Sequence, residues 1–133
     1  MGYLIDTNVW IEAARGRISL DDFFGLHQDD EFALSVITAS ELLHGIHRAD
    51  NPLIREKRQS FVNEILRRIP VTAFDLPVAR VHAALWAECA QRGELPGSHD
   101  LIIAATALHC HHAVVTFNLR DFQRIPGLNA FSP

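Results

Sequence analysis

Short apolar runs alternate along this chain with segments whose apolar positions recur every three or four residues. Tyr3-Leu4-Ile5 is an unbroken apolar run ending at Asp6, the pattern of a strand buried on both faces. Val9, Trp10, Ala13 and Ala14 then share a face over residues 7–14, and Gly16 closes that helix. Ser19-Leu20-Asp21-Asp22 has the composition of a helix start, with Phe23, Phe24 and Leu26 as the apolar face, and Asp29-Asp30-Glu31 is a charged turn. A second strand is predicted at Phe32-Ala33-Leu34-Ser35, followed by a helix opened by Thr38-Ala39-Ser40-Glu41 and running to about Asp50. Asn51-Pro52 breaks it, and another helix reaches Arg68.

Val71-Thr72-Ala73-Phe74 reads as a third strand, and residues 75–92 as a long amphipathic helix burying Val78, Val81, Leu85, Trp86 and Cys89. After a loop at Gly93-Glu94-Leu95-Pro96-Gly97, residues 100–109 are apolar nearly all round, which predicts a central buried helix. Ala113-Val114-Val115-Thr116 is a fourth strand, and residues 128–131 a short edge strand. Strands alternating with helices predict a three-layer α/β/α domain around a central parallel sheet of four to five strands. One domain spanning residues 1–133 accommodates it. In such sheets the ligand site lies at the carboxyl ends of the strands.

Composition refines this picture without redirecting it. Apolar residues are 48% and charged residues 21% of the chain, ordinary globular values. The N-terminus enters the ordered pattern at once, as no secretory leader does, and no apolar run reaches the roughly 20 residues of a membrane span. A cytoplasmic protein is the expectation. Cys89 and Cys110 are isolated within helical stretches, the pattern of two buried thiols. The net charge of −4 runs against the basic excess usual in nucleic-acid binders. Yet Arg48, Arg55, Lys57, Arg58, Arg67 and Arg68 crowd one helical region, either as a solvated face or as phosphate contacts.

The acidic residues fall at informative places. Asp6 ends the first strand, Glu41 follows the second, Asp100 opens the buried helix, and Asp121 follows the fourth strand. Each has a local explanation. Asp6 or Thr7 suits a helix cap, Glu41 completes a capping box with Thr38, Ser98 or Asp100 suits the cap of the buried helix, and Asp121 suits a last helical turn. Together, at one rim of a parallel sheet, they would repel one another and raise their own pKa values. A hard divalent cation removes that penalty, and Mg²⁺ favours a few carboxylates around an open cup. No His/Cys set stands at zinc spacing.

These residues resemble the PIN-domain ribonucleases, and within them the VapC-type toxins of type II toxin–antitoxin pairs. Leu4-Ile5-Asp6-Thr7-Asn8-Val9 is similar to the family's first acidic motif. The segment from Ser35 to Leu42, followed by Gly45, is similar to the second, and Asp100-Leu101-Ile102-Ile103-Ala104-Ala105 to the third. The segment from Val115 to Phe122, then Ile125-Pro126-Gly127, is similar to the closing motif. The resemblance covers the whole chain. It implies a Mg²⁺-dependent (or Mn²⁺-dependent) endoribonuclease that cuts structured RNA such as tRNA or rRNA and inhibits translation. It also implies a cognate VapB-type antitoxin and a homodimer.

Carried over residue by residue, the resemblance makes Asp6, Glu41, Asp100 and Asp121 catalytic, with Asp6, Asp100 and Asp121 as metal ligands. Asn8, Thr116 and Asn118 are supporting polar groups. The family's fourth acid falls at Asn118 or Asp121, and only Asp121 is acidic here. Phe117 stands where many relatives carry a polar or basic residue. His99 adjoins Asp100 at the active rim, within reach of a scissile phosphate, and stays outside the catalytic set. His111 and His112 are expected as exposed helix-end residues beside the negative dipole end. Two other classes are weighed. A haloacid-dehalogenase-like phosphatase needs a second Asp where this chain has Asn8, and a catalytic Lys where it offers only Lys57 in a helix. A nuclease-fold module that binds RNA or a partner without turnover has no need of concentrated negative charge where phosphate must sit.

Overall fold

Helices and strands alternate from end to end in the computed structural model, which describes residues 1–133. The order is β1 (Gly2–Ile5), α1 (Thr7–Ala14), α2 (Leu20–Leu26), β2 (Glu31–Ser35), α3 (Val36–His47), α4 (Pro52–Arg68), β3 (Val71–Thr72), α5 (Leu76–Gln91), α6 (Ser98–Cys110), β4 (His112–Val115), α7 (Leu119–Gln123) and β5 (Ala130–Phe131). The five strands form one sheet in the order β3-β2-β1-β4-β5, and every pairing is parallel. Gly2 to Ile5 of β1 register with His112 to Val115 of β4 on one side, and Gly2 to Leu4 with Glu31 to Ala33 of β2 on the other.

The period-two geometry of the strands divides the apolar residues between two cores. Tyr3, Ile5, Leu34, Ala113 and Val115 point one way and meet Val9 and Trp10 of α1, Leu42 and Ile46 of α3, and Val62 and Ile65 of α4. Leu4, Ala33 and Val114 point the other way and meet Val78, Leu85 and Cys89 of α5 and the apolar body of α6. Helix α6 is buried at Leu101 and from Ile103 to Ala107 because the sheet covers one side of it and α5 the other. The three-layer architecture with a parallel sheet follows the expectation drawn from the pattern.

Several local expectations are corrected. Helix α3 starts at Val36, capped by Ser35, whose Oγ accepts from the Ile37 amide at 3.2 Å. The capping box at Thr38 is therefore not formed, and Glu41 lies in the second turn. Helix α6 follows Gly97 with no side-chain cap, so neither Ser98 nor Asp100 serves that purpose. Strand β3 stops at Thr72, because Asp75 turns the chain to cap α5 through the Val78 amide. Trp86 is 53% exposed and Leu26 83% exposed, so neither belongs to its helix's buried face. Cys89 is buried but Cys110 only partly so. His111 is exposed, in the left-handed conformation that ends α6. His112 instead opens β4, partly buried over Gly2, with an Nδ1 that finds no hydrogen-bond partner. No helix is long and apolar enough to cross a membrane.

Candidate active site

The strand order reverses at β1. The chain steps outward to β2 and β3, then crosses back to place β4 on β1's other side. In open parallel sheets this reversal leaves a crevice at the carboxyl ends of the two central strands. Asp6 follows β1 and Thr116 follows β4 at that point.

Asp6 is 4% exposed and both of its oxygens are held. Oδ1 accepts from the Thr7 amide at 2.7 Å, which makes Asp6 the N-cap of α1, and Oδ2 accepts from Thr116 Oγ1 at 2.8 Å. Capping and catalysis were rival explanations of this residue, yet one carboxylate can cap the helix and still present lone pairs to the crevice. Burial pushes its pKa up, against the pull of the Thr116 and Thr7 hydrogen bonds, and the nearby Glu41 charge adds to the rise. Thr116 is itself fully buried and ties the crevice together. Its Oγ1 accepts from the Asn118 amide at 2.9 Å and lies 3.4 Å from Asn8 Nδ2. Asn8 Oδ1 accepts from the Phe117 amide at 3.2 Å, fastening α1 to the loop after β4.

Glu41 reaches the same crevice from α3. Its Oε1 accepts from Thr7 Oγ1 at 2.9 Å, and Thr7 Oγ1 lies 3.1 Å from the buried Thr38 hydroxyl. Thr7 and Thr38 are thus members of the site that the sequence suggested only as helix-start residues. The signal available was Thr7 directly following Asp6; nothing local marked Thr38, whose role depends on α3 meeting α1. Asp121 is oriented by Asn118, whose Nδ2 donates to Asp121 Oδ2 at 2.9 Å. The two candidates for the fourth acidic position are therefore adjacent partners.

Asp100 stands in the first turn of α6. Its pKa is raised from the ordinary 3.8 to about 6, first by burial and then by the charges of Asp6, Asp121 and Glu41, with His99 opposing. Asp100 thus feels the charge of each of the other three carboxylates. His99 is exposed, its Nδ1 3.6 Å from Glu41 Oε2. No group of three or more Asp, Glu, His or Cys side chains stands close enough together to hold a metal ion as arranged. An open cup of mutually repelling oxygen donors fits Mg²⁺, which retains several waters and takes few protein ligands. A separate hollow of about 620 Å³, lined by Trp10, Phe24, Phe32 and Phe61, contains none of these carboxylates.

Similarity to known proteins bears on this site. The PIN domain model matches residues 3–128. The chain is 30% identical over 132 residues to Ribonuclease VapC1 of Rickettsia felis, covering 99% of this chain and 96% of that protein. It is 32% identical over 127 residues to the tRNA(fMet)-specific endonuclease VapC of Salmonella typhimurium, covering 95% and 93%. Its fold matches a chain in the crystal structure of VapBC2 from Rickettsia felis bound to a promoter DNA fragment. The TM-score is 0.90 and the identity 27%, over 100% of this chain and 99% of that one.

Proposed function

The chain belongs to the PIN-domain family, and on that footing we propose that it is the endoribonuclease toxin of a toxin–antitoxin pair, acting on structured RNA such as tRNA and so inhibiting translation. The observation that carries this reading is the convergence of Asp6, Glu41, Asp100 and Asp121 at the strand-order reversal, with Asp100 lifted to about 6 by burial and then by the other three charges. Relatives along nearly the whole chain carry the names ribonuclease and endonuclease. Structural neighbours with an antitoxin support a VapB-type partner, and a homodimer in the cytoplasm completes the proposal.

Asp6, Asp100 and Asp121 are the residues to hold Mg²⁺ or Mn²⁺, with Glu41 at the edge of the set. Such an ion lowers the pKa of a water and offsets charge on a phosphoryl oxygen. The protein's own contribution is positional. Thr7 and Thr116 fix both oxygens of Asp6, and Asn118 fixes Asp121. Thr7 also holds Glu41 Oε1, so that Oε2, which faces only the exposed His99 at 3.6 Å, takes a proton from the attacking water. In-line attack by water on the phosphodiester breaks the bond to the 3′ oxygen, leaving a 5′-phosphate and a 3′-hydroxyl.

The decisive experiment is incubation of antitoxin-free protein with total cellular RNA, in Mg²⁺ and in EDTA, beside Asp100→Asn. Discrete Mg²⁺-dependent fragments bearing 5′-phosphates and lost in the variant are expected. A cyclic phosphate at the 3′ ends would refute the water-attack mechanism. Binding of RNA by the folded protein with no cleavage would return the chain to the class of binding modules.

A further inference from the structure

Six cations crowd residues 48–68 of the sequence, and the fold separates them by what they face. Arg67 and Arg68 both face Glu64, at 2.7 Å and 3.9 Å. Arg55 donates to the Ala49 carbonyl at 3.0 Å. Arg48, Lys57 and Arg58 line a groove of about 390 Å³ between α1, α3 and α4, where Arg15 joins them from the end of α1. Arg48, Lys57 and Arg58 have no carboxylate within salt-bridge distance, although the chain as a whole is acidic. The only acidic residue lining the groove is Glu41, which is also one of the four carboxylates of the candidate site. Ile54 and Phe61 supply apolar wall.

We propose that this groove is the path of the RNA strand flanking the scissile phosphate, with Arg48, Lys57 and Arg58 neutralising successive backbone phosphates. This rests on the nuclease reading and deepens it. A cup of four carboxylates repels every phosphate except one bridged by a cation, so affinity for the rest of the strand must come from outside the cup. The groove supplies uncompensated positive charge and opens onto Glu41. Arginine and lysine exposed along a concave wall suit a phosphate track, and Phe61 and Ile54 suit sugar and base faces. An acidic peptide segment is the competing occupant.

The test uses purified antitoxin-free protein and a fluorescein-labelled single-stranded RNA of about twenty nucleotides, with Ca²⁺ replacing Mg²⁺ to suppress turnover. Arg48→Gln with Lys57→Gln is the informative pair, since Arg58 also donates to the Gly45 carbonyl at 2.7 Å and its replacement would mix loss of charge with loss of that tie between α4 and α3. The pair is expected to weaken binding about tenfold and to flatten the slope of log K against log salt by about 1.4, two single-strand phosphate contacts. Arg67→Gln with Arg68→Gln should change neither. In Mg²⁺, the groove pair should raise KM far more than it lowers kcat. Equal effects from the two pairs, or an unchanged salt slope, would overturn the groove assignment while cleavage by the wild type left the nuclease reading standing. RNA binding that depends on the groove without any divalent-dependent cleavage would do the reverse. Loss of binding to an acidic peptide, with RNA affinity intact, would reassign the groove to a protein partner.

Discussion

The two ends of the sheet are built on opposite principles. At the carboxyl end, buried polar groups are plentiful and hydrogen-bonded: Asp6, Thr7, Ser35, Thr38 and Thr116 all have partners. At the amino end the chain fills space with rings. Tyr3 packs against Phe23, Phe32 and Phe131, and His112 lies over Gly2 with its Nδ1 unpartnered. The first end holds like charges together at the expense of stability, a common condition of active sites. The second is close-packed, and the His112 ring, unlike the His27 ring that pairs with Asp30, fills space without a polar partner. The ends should therefore respond differently to mutation and to acid.

The largest expected effect is at the carboxyl end. Asp6→Asn or Asp100→Asn should lower the cleavage rate by about three powers of ten, measured under single-turnover conditions with Mg²⁺. Asp100→Asn should at the same time raise the thermal midpoint in EDTA at pH 7.5, because it removes a carboxylate that the folded state disfavours ionised. The carboxyl titrates at about 6 in the fold against an ordinary 3.8, so its ionisation costs stability increasingly as pH rises from about 4 to 6. The variant's advantage should shrink as pH falls through that window. A midpoint below wild type at pH 7.5 would mean the carboxylate is a structural asset, and the contrast between the ends would fail.

Next comes Gly2→Ala at the amino end. An added Cβ would collide with the His112 ring, so a loss of about 1–3 kcal/mol is expected by urea titration, with Mg²⁺-dependent cleavage at unchanged kcat. Introducing His112→Ala in the same chain should recover much of it. Thr116→Val should cost about 1–3 kcal/mol, because the Asn118 amide and one Asp6 oxygen lose their partner, and should lower activity as well. That joint loss distinguishes the two ends, since the Gly2 variant loses stability alone.

Acid gives a finer contrast. Burial lowers the pKa of His112 below its ordinary 6.5, with Glu31 opposing and the N-terminal amine and His111 adding to the fall. The unfolded chain then takes up this proton more readily than the fold, so the His112 contribution is intact above pH 6.5 and is lost as pH falls below it. Its slope is opposite to that of Asp100. His112→Leu should flatten the acid side of the stability curve, whereas Asp100→Asn should remove the opposing rise. The smallest effect belongs to His99→Ala. Its exposed 3.6 Å pairing with Glu41 is worth little, and the rate should change by less than about fivefold.

Much of the site was legible in the chain because its acids sit where strands end, and strand ends are visible in apolar patterning. Asp6 after Tyr3-Leu4-Ile5 and Asp121 after Val114-Val115 could be placed at one rim from alternation alone. The hidden part was the support. Thr38 resembled the opening of a capping box, but Ser35 takes that role, which leaves Thr38 beside the Thr7 hydroxyl and Glu41 free to face the crevice. Trp86 fits the apolar stripe of α5 by spacing yet is 53% exposed, its ring edge-on to His82 one turn earlier and outside the buried cluster beneath α5.

What the sequence by itself determined is the order of strands and helices, the apolar split that gives the sheet two covered faces, and four acids at or just beyond the strand ends and helix starts. These follow from periodicity and chain geometry, which are local. Only the tertiary structure decided that β1 lies between β2 and β4. That order puts Thr116 against Asp6, α1 against α3 to join Thr7 with Glu41, and Arg48, Lys57 and Arg58 in a groove apart from Arg67 and Arg68. Those contacts span as many as 110 residues of sequence, and no local rule carries information over that distance.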